Sequence, residues 1–205
     1  IQELNFLRVP LPVNSSFKLC IQQISTSYNC KLMKKRVYRL IAFLFIILVA
    51  DILSKFFINK LLPLQQFFSF YPYGGISIFH NFYGISLSIN HVINTGTAWG
   101  FFPNMQLYLI AVRIVLIIGL LFFYIFFNKQ KKLENGLAII ISGGIGNILD
   151  FFFYGHVIDM IHFSFGNYNF PVFNIADTSI TIGIFVVFIM SSKKPLRKST
   201  TKMEL

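Results

Sequence analysis

Apolar residues fall into four long runs, at roughly 39–59, 105–127, 134–155 and 170–190. Each is long enough to cross about 30 Å of hydrocarbon at about 1.5 Å per residue, so each predicts a transmembrane helix. Between the first two runs the pattern changes. "ISIF" (76–79) and "GISLSINHV" (84–92) alternate apolar and polar positions, which is strand periodicity. Gly74-Gly75 and Gly84 mark turns. Phe67, Phe68, Phe70, Tyr71 and Tyr73 form an aromatic cluster suited to the headgroup layer. The expected fold is an all-α membrane protein of four transmembrane helices with a small β addition. That addition is a cradle over about 60–104, resting on the membrane surface.

Composition agrees with a membrane class. The 205 residues are 55% hydrophobic and 12% charged, about half the charged fraction of soluble domains. The net charge is +11, from 18 basic and 7 acidic residues. The basic residues sit in short clusters beside the apolar runs, where topology signals sit, so no nucleic-acid partner is expected. Lys34, Lys35, Arg36 and Arg39 precede the first run. Lys129, Lys131 and Lys132 separate the second and third, and Lys193, Lys194, Arg197, Lys198 and Lys202 follow the fourth. Residues 60–104 hold only Lys60, and 156–169 hold no Lys or Arg. The positive-inside rule then places both termini in the cytoplasm and these two segments outside. The first run resembles a signal peptide with "KKRVYRL" as its basic start. It contains Asp51 and Lys55 and lacks a small-residue cleavage site, so it reads as retained.

Residues 1–32 are polar without a clear period and are expected to be a non-native or disordered extension before Met33. The membrane domain is expected over 33–192, and 193–205 reads as a basic cytoplasmic tail. Cys20 and Cys30 both precede the first run, which excludes thiol chemistry from the core.

The chain has four aspartates: Asp51, Asp150, Asp159 and Asp177. A carboxylate within a span costs several kcal/mol unless something neutralises or uses it. Asp51 lies 12 residues beyond Arg39, about 18 Å along an outward-running helix. Asp150 lies 18 residues beyond Lys132, about 27 Å along another, and Asp177 lies 16 before Lys193, about 24 Å above the cytoplasmic end. Asp159 falls in the outer connection. Convergence of all four on one level predicts a single site near the outer face.

Two aspartates share a local pattern. "NILD" pairs Asn147 with Asp150, and "NIAD" pairs Asn174 with Asp177. A spacing of three puts each pair on one helix face, where the amide can bond its carboxylate or a substrate carbonyl. "GGIG" (143–146) allows close helix approach. "NTGTAWG" (94–100) brings Asn94 and Gly96 to the same level. Two carboxylates close together in low dielectric cannot both ionise easily. One then serves as base and the other as acid, which activates water against a peptide carbonyl and protonates the leaving nitrogen without a metal.

At these residues the chain resembles lipoprotein signal peptidase, the signal peptidase II family. The matching motifs are "DILSK" (51–55), "NTGTAWGFF" (94–102), "GGIGNILD" (143–150), "GHVIDMIHF" (155–163) and "FPVFNIADTSITIG" (170–183), in the family's order. The resemblance implies an intramembrane aspartic endopeptidase of the bacterial inner membrane, with a periplasmic β-cradle and no cofactor. It implies cleavage of diacylglyceryl-modified prolipoproteins just before the lipidated cysteine, by a dyad of Asp159 and Asp177. It carries site-lining roles to Asp51, Lys55, Asn94, Gly96, Asn147, Asp150, Asn174 and Ala176. The family usually has arginine directly after the G-N-x-x-D aspartate, and this chain has Phe151. That leaves Asp51 and Asp150 short of a counter-charge. Arg113, eight residues into the second run and about 12 Å below its outer end, is the expected substitute. Lys55 is the other candidate.

Blander and rival readings stand beside these. Asp51 and Asp150 read as structural anchors for a lysine or arginine. Asn94, Asn147 and Asn174 stand open between substrate contact and bonds between helices. His80, His91, His156 and His162 lack metal-like spacing and read as interfacial. Ser142 before "GG" suggests a serine protease, but no histidine is placed as its base. Trp99 and the many phenylalanines read as packing and lipid contact. The runner-up function is a proton-coupled transporter or channel using the carboxylates as a relay, and a non-catalytic membrane assembly subunit is a third. A monomer is expected.

Overall fold

The structure is a computed structural model describing residues 15–64, 75–94 and 105–192, with side chains from Lys31 onward. Helix α1 spans Ser15–Leu61. That stretch has no glycine or proline, and Pro63 follows its end, so nothing in the chain interrupts the helix. Residues 15–32 are helical and continuous with the first span. Strands β1 (Ile76–Phe82) and β2 (Ile85–Asn94) come next. They are joined by Tyr83 and Gly84, both at positive φ (51° and 81°), the backbone a two-residue hairpin requires.

Helix α2 (Gln106–Phe122) ends in a π-turn, Phe123–Phe127. A 3₁₀ turn at Lys131–Leu133 leads into α3 (Glu134–Tyr154). Gly155, left-handed at φ 75°, stops α3 with its N–H on the Phe151 carbonyl. Strands β3 (Val157–Phe165) and β4 (Tyr168–Asn169) follow, and α4 is Ile175–Ser192. The described residues thus contain four helices long and apolar enough to cross a membrane, as expected.

The sheet is larger than the sequence suggested. Its four antiparallel strands run in the order β1-β2-β3-β4, so the segment read as a mere connection supplies two of them. Strand β3 is an inner strand buried along most of its length. Its polar residues Asp159 and His162 are themselves buried, so polar positions along it do not mark a solvent face. Ile89 pairs with Ile161 and Val92 with Asp159, a register shift that inserts one extra residue in β2. Such bulges re-aim side chains next to functional sites.

The fourth helix starts later than expected. Residues 170–173 run extended beside β3, with Phe173 N–H on the Ile161 carbonyl (3.0 Å) and Phe170 N–H on Phe163 (2.9 Å). Pro171 has no N–H for a helix, and Asn174 caps α4 instead. Its side-chain oxygen accepts from the Asp177 N–H at 2.8 Å.

Helix α3 is the inner helix and packs on the other three. Its approach to α4 is a backbone contact made possible by glycine. A Cβ on Gly136 would sit 2.7 Å from Val187, and one on Gly183 would sit 2.8 Å from the Gly136 carbonyl. Helix α1 touches both α3 and α4. Among the described residues, α2 packs on α3 without approaching α4. Phe45, Val115 and Phe188 are exposed on the outer faces, as suits hydrocarbon. At the end away from the sheet, Leu40, Tyr124, Leu133, Leu137, Ala138 and Ile141 form an apolar core. Buried Glu134 is held there by Arg36 (2.8 Å) and Arg39.

Candidate active site

All four aspartates lie in one linked network at the sheet end of the bundle. Asp51 and Lys55, one turn apart on α1, pair at 2.6 Å, and neither side chain is exposed to solvent. Lys55 also pairs with Asp150 of α3 at 2.6 Å. Two buried carboxylates sharing one cation are tolerable only with further hydrogen bonds. Asp51 has one: it accepts the Ala176 N–H at 2.9 Å. That donor belongs to the first turn of α4, where a negative charge is favoured. The counter-charge of Asp51 and Asp150 is therefore Lys55.

The remaining two aspartates sit around Asn174. Its amide donates to Asp159 at 2.8 Å and to the Asn147 oxygen at 3.1 Å. Its backbone N–H lies 3.4 Å from Asp177. Asn174 and Asp177 thus form a reciprocal cap at the start of α4, with cap and third helical residue bonding each other's backbone. Asn94, at the end of β2, donates to Asp159 at 2.8 Å. Asn147 donates to Asp177 at 2.7 Å. It turns away from Asp150, so the two N-x-x-D pairs differ: one is a helix cap and the other is split between Asp177 and Lys55.

Burial, and then the charge of Asp177, push the Asp159 carboxyl up to about 7. The bonds from Asn94 and Asn174 oppose that shift but do not cancel it. Asp159 therefore holds its proton far above the ordinary carboxyl range. Asp159 and Asp177 open into one cavity of about 570 Å³. Its wall also includes Asn94, Arg113, Phe173 and Thr178. Most of the lining is apolar, and it draws on both α2 and α4, the two helices that do not approach each other. Such a pocket, with two carboxyls at one end, can receive an apolar ligand and present a carbonyl to an acid and a base.

The structure therefore gathers Asp51, Lys55, Asn94, Asn147, Asp150, Asp159, Asn174, Ala176 and Asp177, and sets Arg113 in the same cavity wall. Gly96, Trp99 and the 67–73 aromatic cluster lie outside the described residues. Ala176 is buried against Gly143 and Gly146, so its small size permits helix contact. Ser142 is buried and donates to its own helix at Ala138 (2.7 Å), which removes it as a nucleophile. His91 and His162 are buried in the sheet and are not interfacial. No cluster of metal-ligating side chains occurs among the described residues. The segment 170–173, counted in the fourth apolar run, is extended cavity wall rather than helix. Its signal was present in "FPVF", four residues of apolar wall ahead of a capping asparagine.

A model of the family described as Signal peptidase (SPase) II matches residues 43–193. A lipoprotein signal peptidase of Bacillus subtilis is 33% identical over 154 residues, covering 75% of this chain and 91% of that protein. One of Chlamydia pneumoniae is 40% identical over 111 residues, covering 53% of this chain and 66% of that protein. The fold is that of a solved bacterial membrane enzyme, with TM-score 0.61 and 23% identity over 80% of this chain and 94% of the other.

Proposed function

The chain belongs to the signal peptidase II family, aspartic peptidases that remove signal peptides from prolipoproteins, and from that premise we propose that Asp159 and Asp177 are its catalytic pair. One observation carries the assignment: Asn174 bonds to Asp159 through its amide and to Asp177 through its backbone, and both carboxyls open into one cavity. Asp177 takes a proton from water as the oxygen adds to the scissile carbonyl carbon. Asp159 gives its proton to the carbonyl oxygen. The proton on Asp177 then passes to the leaving nitrogen as the C–N bond breaks, and Asp159 takes back a proton from a hydroxyl of the tetrahedral carbon as the C=O bond re-forms. Asn94 and Asn174 hold Asp159, and Asn147 holds Asp177, so the two carboxyls meet the substrate without reorganising.

The protein is a multi-pass bacterial membrane protein acting on lipoprotein substrates. The substrate bond is the one preceding a diacylglyceryl-modified cysteine. The apolar wall from Phe170 to Phe173 and along α4 is suited to the lipid chains. The basic clusters flanking the spans support cytoplasmic termini and a site near the outer face of the inner membrane.

The test is cleavage of a diacylglyceryl-modified prolipoprotein by the full chain in membranes. Asp159→Asn and Asp177→Asn should each lower the rate by at least about a hundredfold. A chelator should leave the wild-type rate unchanged. Full activity in either variant removes the pair.

A further inference from the structure

Arg113 is the one charged residue of α2. A guanidinium in an apolar span is costly unless it faces protein or water, and about 2.5 kcal/mol or more is typical at mid-membrane. Here it is half-buried in the wall of the cavity that holds Asp159 and Asp177. It is the one cation among the described residues lining that cavity.

The hydrogen bonds to the two carboxyls are closely matched. Asp159 receives Asn94 and Asn174, both at 2.8 Å. Asp177 receives Asn147 at 2.7 Å and the Asn174 N–H at 3.4 Å. Donors alone therefore do not choose which carboxyl ionises, and slightly favour Asp159. The cations are not matched. Lys55 is committed to Asp51 and Asp150 and reaches Asn147 only at 3.5 Å. Lys55 bears on both carboxyls, and Arg113 stands after it among the charges that bear on Asp177. The charges that bear most on Asp159 are Asp177 and, more weakly, Lys55. Among the described residues the charged groups bearing on the pair are thus Lys55 from α1 and Arg113 from α2, with Asp159 on β3 and Asp177 on α4. Asp177 also lies in the first turn of α4, where the helix dipole favours negative charge.

We propose that Arg113 is a positioning residue for the protonation state of the pair: its fixed charge, set across the cavity from α2, makes Asp177 the ionised base and leaves the proton on Asp159. The proposal rests on the assignment of Asp159 and Asp177 as the catalytic pair. In that arrangement Arg113 stabilises each state in which Asp177 is ionised. Removing it makes the first ionisation of the pair harder and leaves the second, the loss of the Asp159 proton, where it was.

The experiment is the pH profile of kcat/KM for the full chain in lipid nanodiscs, with a fluorogenic diacylglyceryl-cysteine lipopeptide as substrate. Arg113→Gln should move the acid limb up by about one pH unit, a roughly tenfold loss of rate on the acid slope. The alkaline limb should stay in place, and Arg113→Lys should restore the acid limb. Arg113→Met replaces the glutamine variant if the latter does not accumulate. An unmoved acid limb overturns the proposal, as does a shift of the alkaline limb alone or a lysine variant that behaves like glutamine. Loss of activity in both Asp159→Asn and Asp177→Asn with an unchanged Arg113→Gln profile sinks this proposal and spares the pair. Retained activity in either aspartate variant sinks the pair itself.

Discussion

Lys55, Asn147 and Asn174 tie the site together, because each serves partners from more than one element. Lys55 neutralises Asp51 and Asp150, and all three are buried. Lys55→Met should destabilise the protein by about 3–5 kcal/mol, since two carboxylates are left without a counter-charge. The measurement is the thermal midpoint of the purified protein, and Asp150→Asn added to Lys55→Met should recover part of the loss. Asn94 permits a finer prediction. Its amide donates to the Asp159 carboxylate and so favours ionisation of a group already pushed up to about 7 by burial and Asp177. Asn94→Leu should move the alkaline limb of the kcat/KM profile upward by about one pH unit while lowering kcat. A limb that stays in place or moves down would show that Asn94 does not act on Asp159.

At the scale of elements, the contact between α3 and α4 sets where Asp177 lies. A Cβ on Gly143 would come within 2.5 Å of the Ala176 carbonyl, which is backbone and cannot turn aside. Gly143→Ala should push the start of α4 off its seat and cost activity by about a hundredfold, the scale of an ångström of misplacement. Gly119 has nothing within 4 Å of the same position. Gly119→Ala, assayed side by side, should keep full activity, which separates a specific contact from a general glycine effect. The helices were legible because long apolar runs respond to one physical demand, crossing hydrocarbon. The hairpin was legible because one face is polar and Gly84 marks its turn. Strand β3 was not, because its polar residues Asp159 and His162 are buried in an inner strand and do not mark a solvent face. The NILD and NIAD motifs looked alike, yet only Asn174 caps a helix. Pro171 forces the preceding stretch to be extended, and Asn147 lies far inside α3.

Across the whole molecule, residue rise and charge asymmetry were enough to bring four aspartates to one level. Side-chain partners were not legible, since which helix faces which depends on packing that spacing along one chain does not report. Lys55 was one of two candidates for Asp51 and Asp150, and its pairing with both follows from the packing of α1 on α3. The resulting site lowers stability under working conditions, and that has a measurable sign. Asp159 binds its proton with an ordinary value of 3.8 when exposed and about 7 in the fold. Between those values the folded state holds a proton that the unfolded chain has released. The stability associated with this group is complete below about pH 4, falls as pH rises through 7, and is constant above. The difference of about three pH units corresponds to at most roughly 4 kcal/mol. The thermal midpoint of the detergent-solubilised enzyme should therefore drop from pH 5 to pH 8. Asp159→Asn, neutral at every pH and close in shape, should flatten that drop and be more stable than the wild type at pH 8 while inactive. An Asp159→Asn protein with the wild-type slope would mean that Asp159 is ionised in the fold, and the division of labour between acid and base would have to be reversed.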